Sequence, residues 1–171
     1  MKRLFESKIK ADDGSDEHQN ILGYYYENGI GIEKNLEHAF QYYMLSANQN
    51  NSDAQKTLGY FYRNGIYVDF NILKAIEYFE KSTNQGDPDA QSRLGYYYEH
   101  GIGVVKIFER ALNYYRLSGK QGHPIGLYNL GNCYEYGIGV KKNHEISLDC
   151  YKLSAYLGDE DAKRNVKEIL G

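Results

Sequence analysis

The sequence predicts an all-α chain of the right-handed α–α superhelix (solenoid) class, built from 36-residue helix-turn-helix repeats. Three observations carry this expectation. The segments LGYYYENGIGI, LGYFYRNGIYV, LGYYYEHGIGV and LGNCYEYGIGV begin at Leu22, Leu58, Leu94 and Leu130, each 36 residues after the last and without insertion. The second half of the unit recurs in the same register, with one column of Ala39, Ala75, Ala111 and Ser147 and another of Tyr43, Phe79, Tyr115 and Tyr151. The composition, 19 tyrosines with no tryptophan and 18 glycines with 2 prolines, is that of a motif spending the same residues repeatedly.

Residues 1–13 align poorly with the second helix of a unit, Leu4 and Ile9 matching Phe40 and Leu45, and are read as an N-terminal capping helix. Four repeats follow at 16–50, 52–86, 88–122 and 124–158, and the whole chain is read as one solenoid domain. In each, Ala54, Leu58 and Tyr62 or their counterparts recur four apart, with Phe61 beside them, which places them on one face of a first helix, A. Its start is marked by Ser15, Asn51, Asp87, His123 and Asp159, mostly good N-caps, with Pro88 and Pro124 at the first helical position. Its end is marked by Gly29, Gly65, Gly101 and Gly137, which supply the left-handed conformation that closes a helix.

After a short loop, helix B turns Ala75, Tyr78, Phe79 and Ser82 or Thr83 inward, and a turn column of Asn50, Gly86, Gly122 and Gly158 leads to the next helix A. Gly23, Gly59, Gly95 and Gly131 lie inside helix A, where glycine costs about 1 kcal/mol relative to alanine. Their recurrence implies a close backbone approach by helix B of the same unit. Residues 159–171 align with a further helix A, Val166 in the leucine column and Lys167 in the glycine column, and are read as a C-terminal capping helix.

Composition excludes several function classes. With 20 basic against 23 acidic side chains and a formal net charge of -3, there is no electrostatic footprint for nucleic acid or an anionic membrane. No apolar run approaches the roughly 18 residues that span a bilayer, and MKRLFESKIK lacks the apolar core of a secretory signal, so a cytoplasmic chain is expected. Cys133 and Cys150 show no CxxC spacing and read as free core thiols. The GIG loops lack both GxxxxGK[ST] and the third glycine of GxGxxG, and read as helix terminators. The histidines His18, His38, His100, His123 and His144 have no metal-ligand spacing, so neither a metal nor a cofactor is expected. Asn50, Asn51 and Ser52 form a glycosylation sequon, which matters only in a secreted chain.

The pattern of alanine, LG, tyrosine, a GxGV-like loop, then alanine and a tyrosine pair resembles the Sel1-like repeat family, a branch of the tetratricopeptide superfamily, over nearly the whole chain. The resemblance implies an adaptor or scaffold, of the kind found in protein degradation, signalling and bacterial contact with host cells. A few cysteine-rich bacterial members are linked to β-lactam binding, and their paired-cysteine pattern is absent from this sequence. Two loops depart from the pattern. Tyr67 replaces a loop glycine, and the third unit carries Val105 and Ile107 where the others are polar or acidic at one or both positions, so these loops are expected to differ in shape or carry a contact.

In the related tetratricopeptide fold, the helix A face opposite helix B lines a concave groove that grips peptides. The matching columns are Asn20, Lys56, Ser92 and Tyr128; Tyr24, Tyr60, Tyr96 and Asn132; and Glu27, Arg63, Glu99 and Glu135. Tyrosine gives contact area at low entropic cost, and the glutamates would favour a basic segment. The bland alternative is that the tyrosines only pack against neighbouring A helices. A second candidate surface is the loop edge carrying Phe70, Val105, Ile107 and Phe108.

Glu27, Glu99 and Glu135 lie whole repeats apart, so they are poorly placed to act on one bond, and no nucleophile–base pair stands out. The expected function is therefore a non-catalytic protein–protein interaction scaffold, monomeric or weakly oligomeric, holding a peptide or helix of a partner protein. The competing readings are a small-molecule binder or hydrolase like the cysteine-rich members, and a spacer within a larger protein.

Overall fold

The computed structural model describes residues 2–171, with side chains from Leu4 onward. The described residues form ten helices: α1 (Lys2–Asp12), α2 (Asp16–Asn28), α3 (Leu36–Asn48), α4 (Ser52–Asn64), α5 (Ile72–Asn84), α6 (Pro88–His100), α7 (Phe108–Lys120), α8 (Pro124–Tyr136), α9 (His144–Tyr156) and α10 (Glu160–Leu170). There is no strand among the described residues. Even-numbered helices are the A helices of the sequence and odd-numbered ones the B helices. The contacts group the chain into two compact units, residues 1–85 with α1 to α5 and residues 86–171 with α6 to α10.

Each helix starts and stops where local chemistry dictates. Ser15, Asn51, Asp87, His123 and Asp159 are the N-caps of the A helices, each accepting from the backbone N–H three residues on. Asn35, Asn71 and Asn143 do the same for α3, α5 and α9, a column that sequence reading left out. In the third repeat this position is Ile107, which caps nothing and packs instead against the core of Ala111, Tyr115 and Cys133. The A helices end on glycines at positive φ, such as Gly65 at 64°, and the loop is then pinned by a hydrogen bond such as Asn71 N–H to the Tyr62 carbonyl at 2.9 Å.

Tyr67 sits at φ 62°, the conformation that Gly31, Gly103 and Gly139 adopt at the same loop position. The loop therefore keeps its shape, and a bulky residue bears left-handed strain of about 1–2 kcal/mol. Its ring lies 5.7 Å from that of Phe40.

The recurring glycines inside the A helices mark a close approach, but by a ring rather than by backbone. A β-carbon added at Gly23 or Gly59 would stand 2.8 Å from the ring of Tyr43 or Phe79, and one at Gly95 or Gly131 would stand 2.6 or 2.5 Å from Tyr115 or Tyr151. Each aromatic of helix B thus lies flat on its own helix A. Around these contacts the first unit packs Ala39, Tyr43, Ala54, Leu58 and Phe61, all 2% exposed or less.

Two polar clamps close the hairpins from the other end. Ser46 donates to the Asp16 carbonyl at 2.7 Å, Ser118 to that of Pro88 at 2.6 Å and Ser154 to that of Pro124 at 2.8 Å, so a B-helix hydroxyl satisfies backbone at the start of helix A. Beside them, Gln49 Nε2 donates to Gln19 at 2.8 Å, Gln85 to Gln55 at 2.8 Å and Gln121 to Gln91 at 3.0 Å. In the fourth repeat both partners are leucine, Leu127 and Leu157.

Candidate functional site

The three residue columns expected to line a groove fall into two groups, one in each unit. In the first unit Tyr24 is 52% exposed, whereas Tyr60 is half-buried and meets the Phe79 ring edge-on at 5.1 Å. Lys56 pairs with Asp53 at 3.1 Å, and Arg63 is half-buried. The buried Oδ1 of Asn20 has no hydrogen-bond partner. Glu27 is not a free charge: the hydroxyl of buried Tyr43 donates to its Oε2 at 2.7 Å.

The second unit repeats this with variation. Tyr96 is 38% exposed and stacks on His100 at 4.1 Å. Glu99 accepts from the Tyr115 hydroxyl at 2.7 Å, and Asn132 from the Tyr151 hydroxyl at 2.7 Å. Glu135 faces His144 Nδ1 at 3.1 Å, Tyr128 leans on Tyr151, and Ser92 is buried. The acidic column is thus largely committed within each repeat. Its exception follows the same rule: where the ring is Phe79, with no hydroxyl to satisfy, the column carries Arg63.

Three A helices of the second unit surround a recess of about 320 Å³. Helix α6 contributes Asp89, Ser92, Arg93 and Tyr96; α8 contributes Ile125, Tyr128 and Asn129; the start of α10 contributes Asp159 and Asp161. Three of these, Ser92, Tyr96 and Tyr128, belong to the predicted columns. The others lie one turn earlier on the same faces, or on a helix read only as a cap, and so escaped the column count. In the first unit a recess of about 450 Å³ lies under the loop edge, lined by Tyr62, Tyr67, Val68, Asp69, Asn71 and Lys74, and Phe70 beside that loop is 65% exposed.

Chemistry at the cysteines is muted. Cys133 is buried and Cys150 half-buried, both are free thiols, and burial pushes them up to about 12 and about 11. No group of three or more histidine, cysteine, aspartate or glutamate side chains among the described residues is placed to hold a metal ion. No described helix is long and apolar enough to cross a membrane.

The helices of the described residues, in repeated pairs, define an α-solenoid repeat protein. Four consecutive Sel1 repeats match at residues 19–51, 52–87, 88–123 and 124–159, and the chain belongs to the Sel1 repeat family. It is similar in structure to c5321, a protective antigen of uropathogenic Escherichia coli with an SLR fold, at 28% identity and a TM-score of 0.88, covering 98% of this chain and 36% of that one. A Sel1 repeat protein from Oxalobacter formigenes is 32% identical with a TM-score of 0.86, over 91% of this chain and 63% of that one. The cysteine rich protein B of Helicobacter pylori is 27% identical with a TM-score of 0.59, over 75% of this chain and 92% of that one. The chain thus spans less than two thirds of the first two solved relatives. No curated protein matches the sequence. Sel1 repeats generally serve as protein-interaction scaffolds, and their fold is typically non-catalytic.

Proposed function

We propose that this chain is a non-catalytic scaffold that holds a peptide or helix of a partner protein against the free face of its A helices. The observation that carries the reading is a recurrent exposed tyrosine: Tyr24 in one unit and Tyr96 in the other occupy the same repeat position, and both remain open to solvent while their neighbours are packed. Large rings held on rigid helices are efficient anchors, because little side-chain freedom is lost on binding. The groove columns divide accordingly. Tyr60, Tyr128, Ser92, Glu27 and Glu99 serve mainly to pack or satisfy the repeat, leaving Tyr24, Tyr96, Lys56 and Arg63 as the groove positions best suited to meet a partner.

The terminal helices are inferred to close the array. Lys163 and Lys167 of α10 stand at the positions of the clamp glutamine and the ring-bearing glycine, so this helix does not offer the flat seat that helix B uses. The partner is a protein, with no nucleic acid, cofactor or bilayer involved, and the setting is cytoplasmic.

The test is quantitative affinity capture with the wild-type chain and with Tyr24→Ala plus Tyr96→Ala, with helicity followed by circular dichroism. The reading expects partner recovery to fall at least tenfold while helicity is kept. Unchanged recovery on an intact fold would reject the A-helix face.

A further inference from the structure

We propose that the loop edge of the second hairpin is a contact through which two copies of this chain associate, weakly and about a two-fold axis. The repeat supplies its own comparison. Positions 67, 70 and 73 carry Tyr67, Phe70 and Leu73, where all three other repeats carry glycine, lysine and glutamate, as in Gly31, Lys34 and Glu37. This hairpin alone has exchanged a glycine and a charge pair for three large side chains, and they stand 50%, 65% and 65% exposed. Packing within the repeat does not account for them. Tyr67 even keeps the left-handed conformation, at φ 62°, bearing strain that glycine would avoid. Three such side chains gathered on one edge mark an interaction surface.

The edge holds both halves of a self-fitting contact. Beside the protruding Phe70 opens the recess of about 450 Å³, lined by the rings of Tyr62 and Tyr67 and by one charge of each sign, Asp69 and Lys74. Opposite charges side by side favour neither a cation nor an anion, whereas the aromatic walls favour an uncharged ring. In a two-fold pair the Phe70 ring of each copy enters the recess of the other, the reciprocity that an isologous contact requires. The charges favour a second copy as the occupant. In the run 69–74, DFNILK, acid and base stand at opposite ends of the Phe70–Leu73 pair, so antiparallel approach sets Asp69 of each copy against Lys74 of the other. Both are exposed, and Lys74 Nζ rests over the Tyr62 ring at 5.0 Å, a surface contact that is readily exchanged. No residue of this edge belongs to the groove columns, so self-association leaves the A-helix face open. A standard interface engages roughly 20–30 residues a side, far more than one loop edge offers, and the dimer is accordingly weak.

The test is sedimentation equilibrium of the full chain from about 5 to about 500 µM, a range that brackets weak association. The inference expects the mass to rise from 19.7 kDa toward twice that value, with a Kd on the order of 10–100 µM. Phe70→Lys with Leu73→Glu installs the residues of the other repeats, and should weaken the dimer at least tenfold with the melting temperature kept. Charge reversal tests the symmetry at low salt, where exposed pairs count most. Asp69→Lys sets two lysines together at each crossing, and Lys74→Asp sets two carboxylates together, so each variant alone should associate more weakly than the wild type. An equimolar mixture restores opposite charges at both crossings and should pair at least threefold more tightly than either variant alone. A chain that stays monomeric throughout leaves the edge to some other partner and overturns the inference. So does a folded Phe70→Lys, Leu73→Glu chain that dimerises like the wild type, or a mixture no tighter than its components. The Tyr24→Ala, Tyr96→Ala chain should dimerise normally, which keeps this result separate from the fate of the scaffold reading.

Discussion

At Gly95 the absence of a side chain lets the Tyr115 ring lie directly on helix α6, and this single contact sets the chemistry of the hydroxyl at the ring's far end. The ring is fully buried, so its hydroxyl must find an acceptor, and Glu99, one turn along α6, supplies it at 2.7 Å. Burial, then the hydrogen bond to Glu99 and its negative charge, drive the Tyr115 pKa far above its usual 10.0. Tyr43 is raised in the same way beside Glu27, while Tyr151, beside Asn132, rises to about 12. The folded chain therefore keeps protons that the unfolded chain releases, so this stabilisation is complete below the unfolded value near 10 and is lost as pH climbs toward the folded values. We predict an alkaline decline of stability that begins near pH 10, with a slope of about 1.4 kcal/mol per pH unit for each such tyrosine. Urea midpoints measured from pH 8 to 11.5 would reveal it, and a flat profile above pH 10 would contradict the buried-hydroxyl account.

The helix hairpin is the scale at which the sequence spoke most clearly. Leu58, Ala75 and Phe79 recur at helical spacing and are fully buried, so their columns reported packing directly. What was not legible were the pairings between columns. The glutamates looked solvent-facing because their tyrosine partners sit 16 residues away on another helix. The glutamine clamp was equally hidden, joining residues 30 apart. Yet the repeats hold their own control, since both glutamines become leucine together in the fourth. Removing Gln85 leaves the Oε1 of buried Gln55 without its donor, at a cost of about 1–3 kcal/mol, whereas replacing both can be nearly neutral. Replacing Gln55 as well abandons the Ala47 carbonyl that Gln55 Nε2 reaches at 3.2 Å, which limits the recovery. We predict that Gln85→Leu destabilises by about 1–3 kcal/mol and that adding Gln55→Leu returns part of the loss. A double-mutant cycle by urea unfolding checks this, and strict additivity of the two losses would show that the clamp contributes no coupling.

At the scale of the whole molecule, each unit contains what a repeat array needs to stand: stacked hairpins, a ring seated on every repeat glycine, and a terminal helix laid against its neighbour. In residues 86–171, Ala90 and Leu94 are fully buried, and the core of Ala111, Leu112, Tyr115 and Cys133 is assembled from α7 and α8 within that span. A single hairpin has no such resource, because one face of each helix is buried only by the next repeat. Solenoid stability is close to a sum of repeat terms and nearest-neighbour interfaces, so the number of interfaces retained should decide whether a fragment folds. The prediction is that residues 86–171 alone form a cooperative helical fold with a measurable urea transition. Residues 88–123 alone, keeping one hairpin and no neighbour, should show little helix and no transition. Circular dichroism melts of the two fragments separate the cases. A well-folded single hairpin would mean that the ring-on-glycine contact suffices by itself, and the interface between repeats would lose its place as the source of stability.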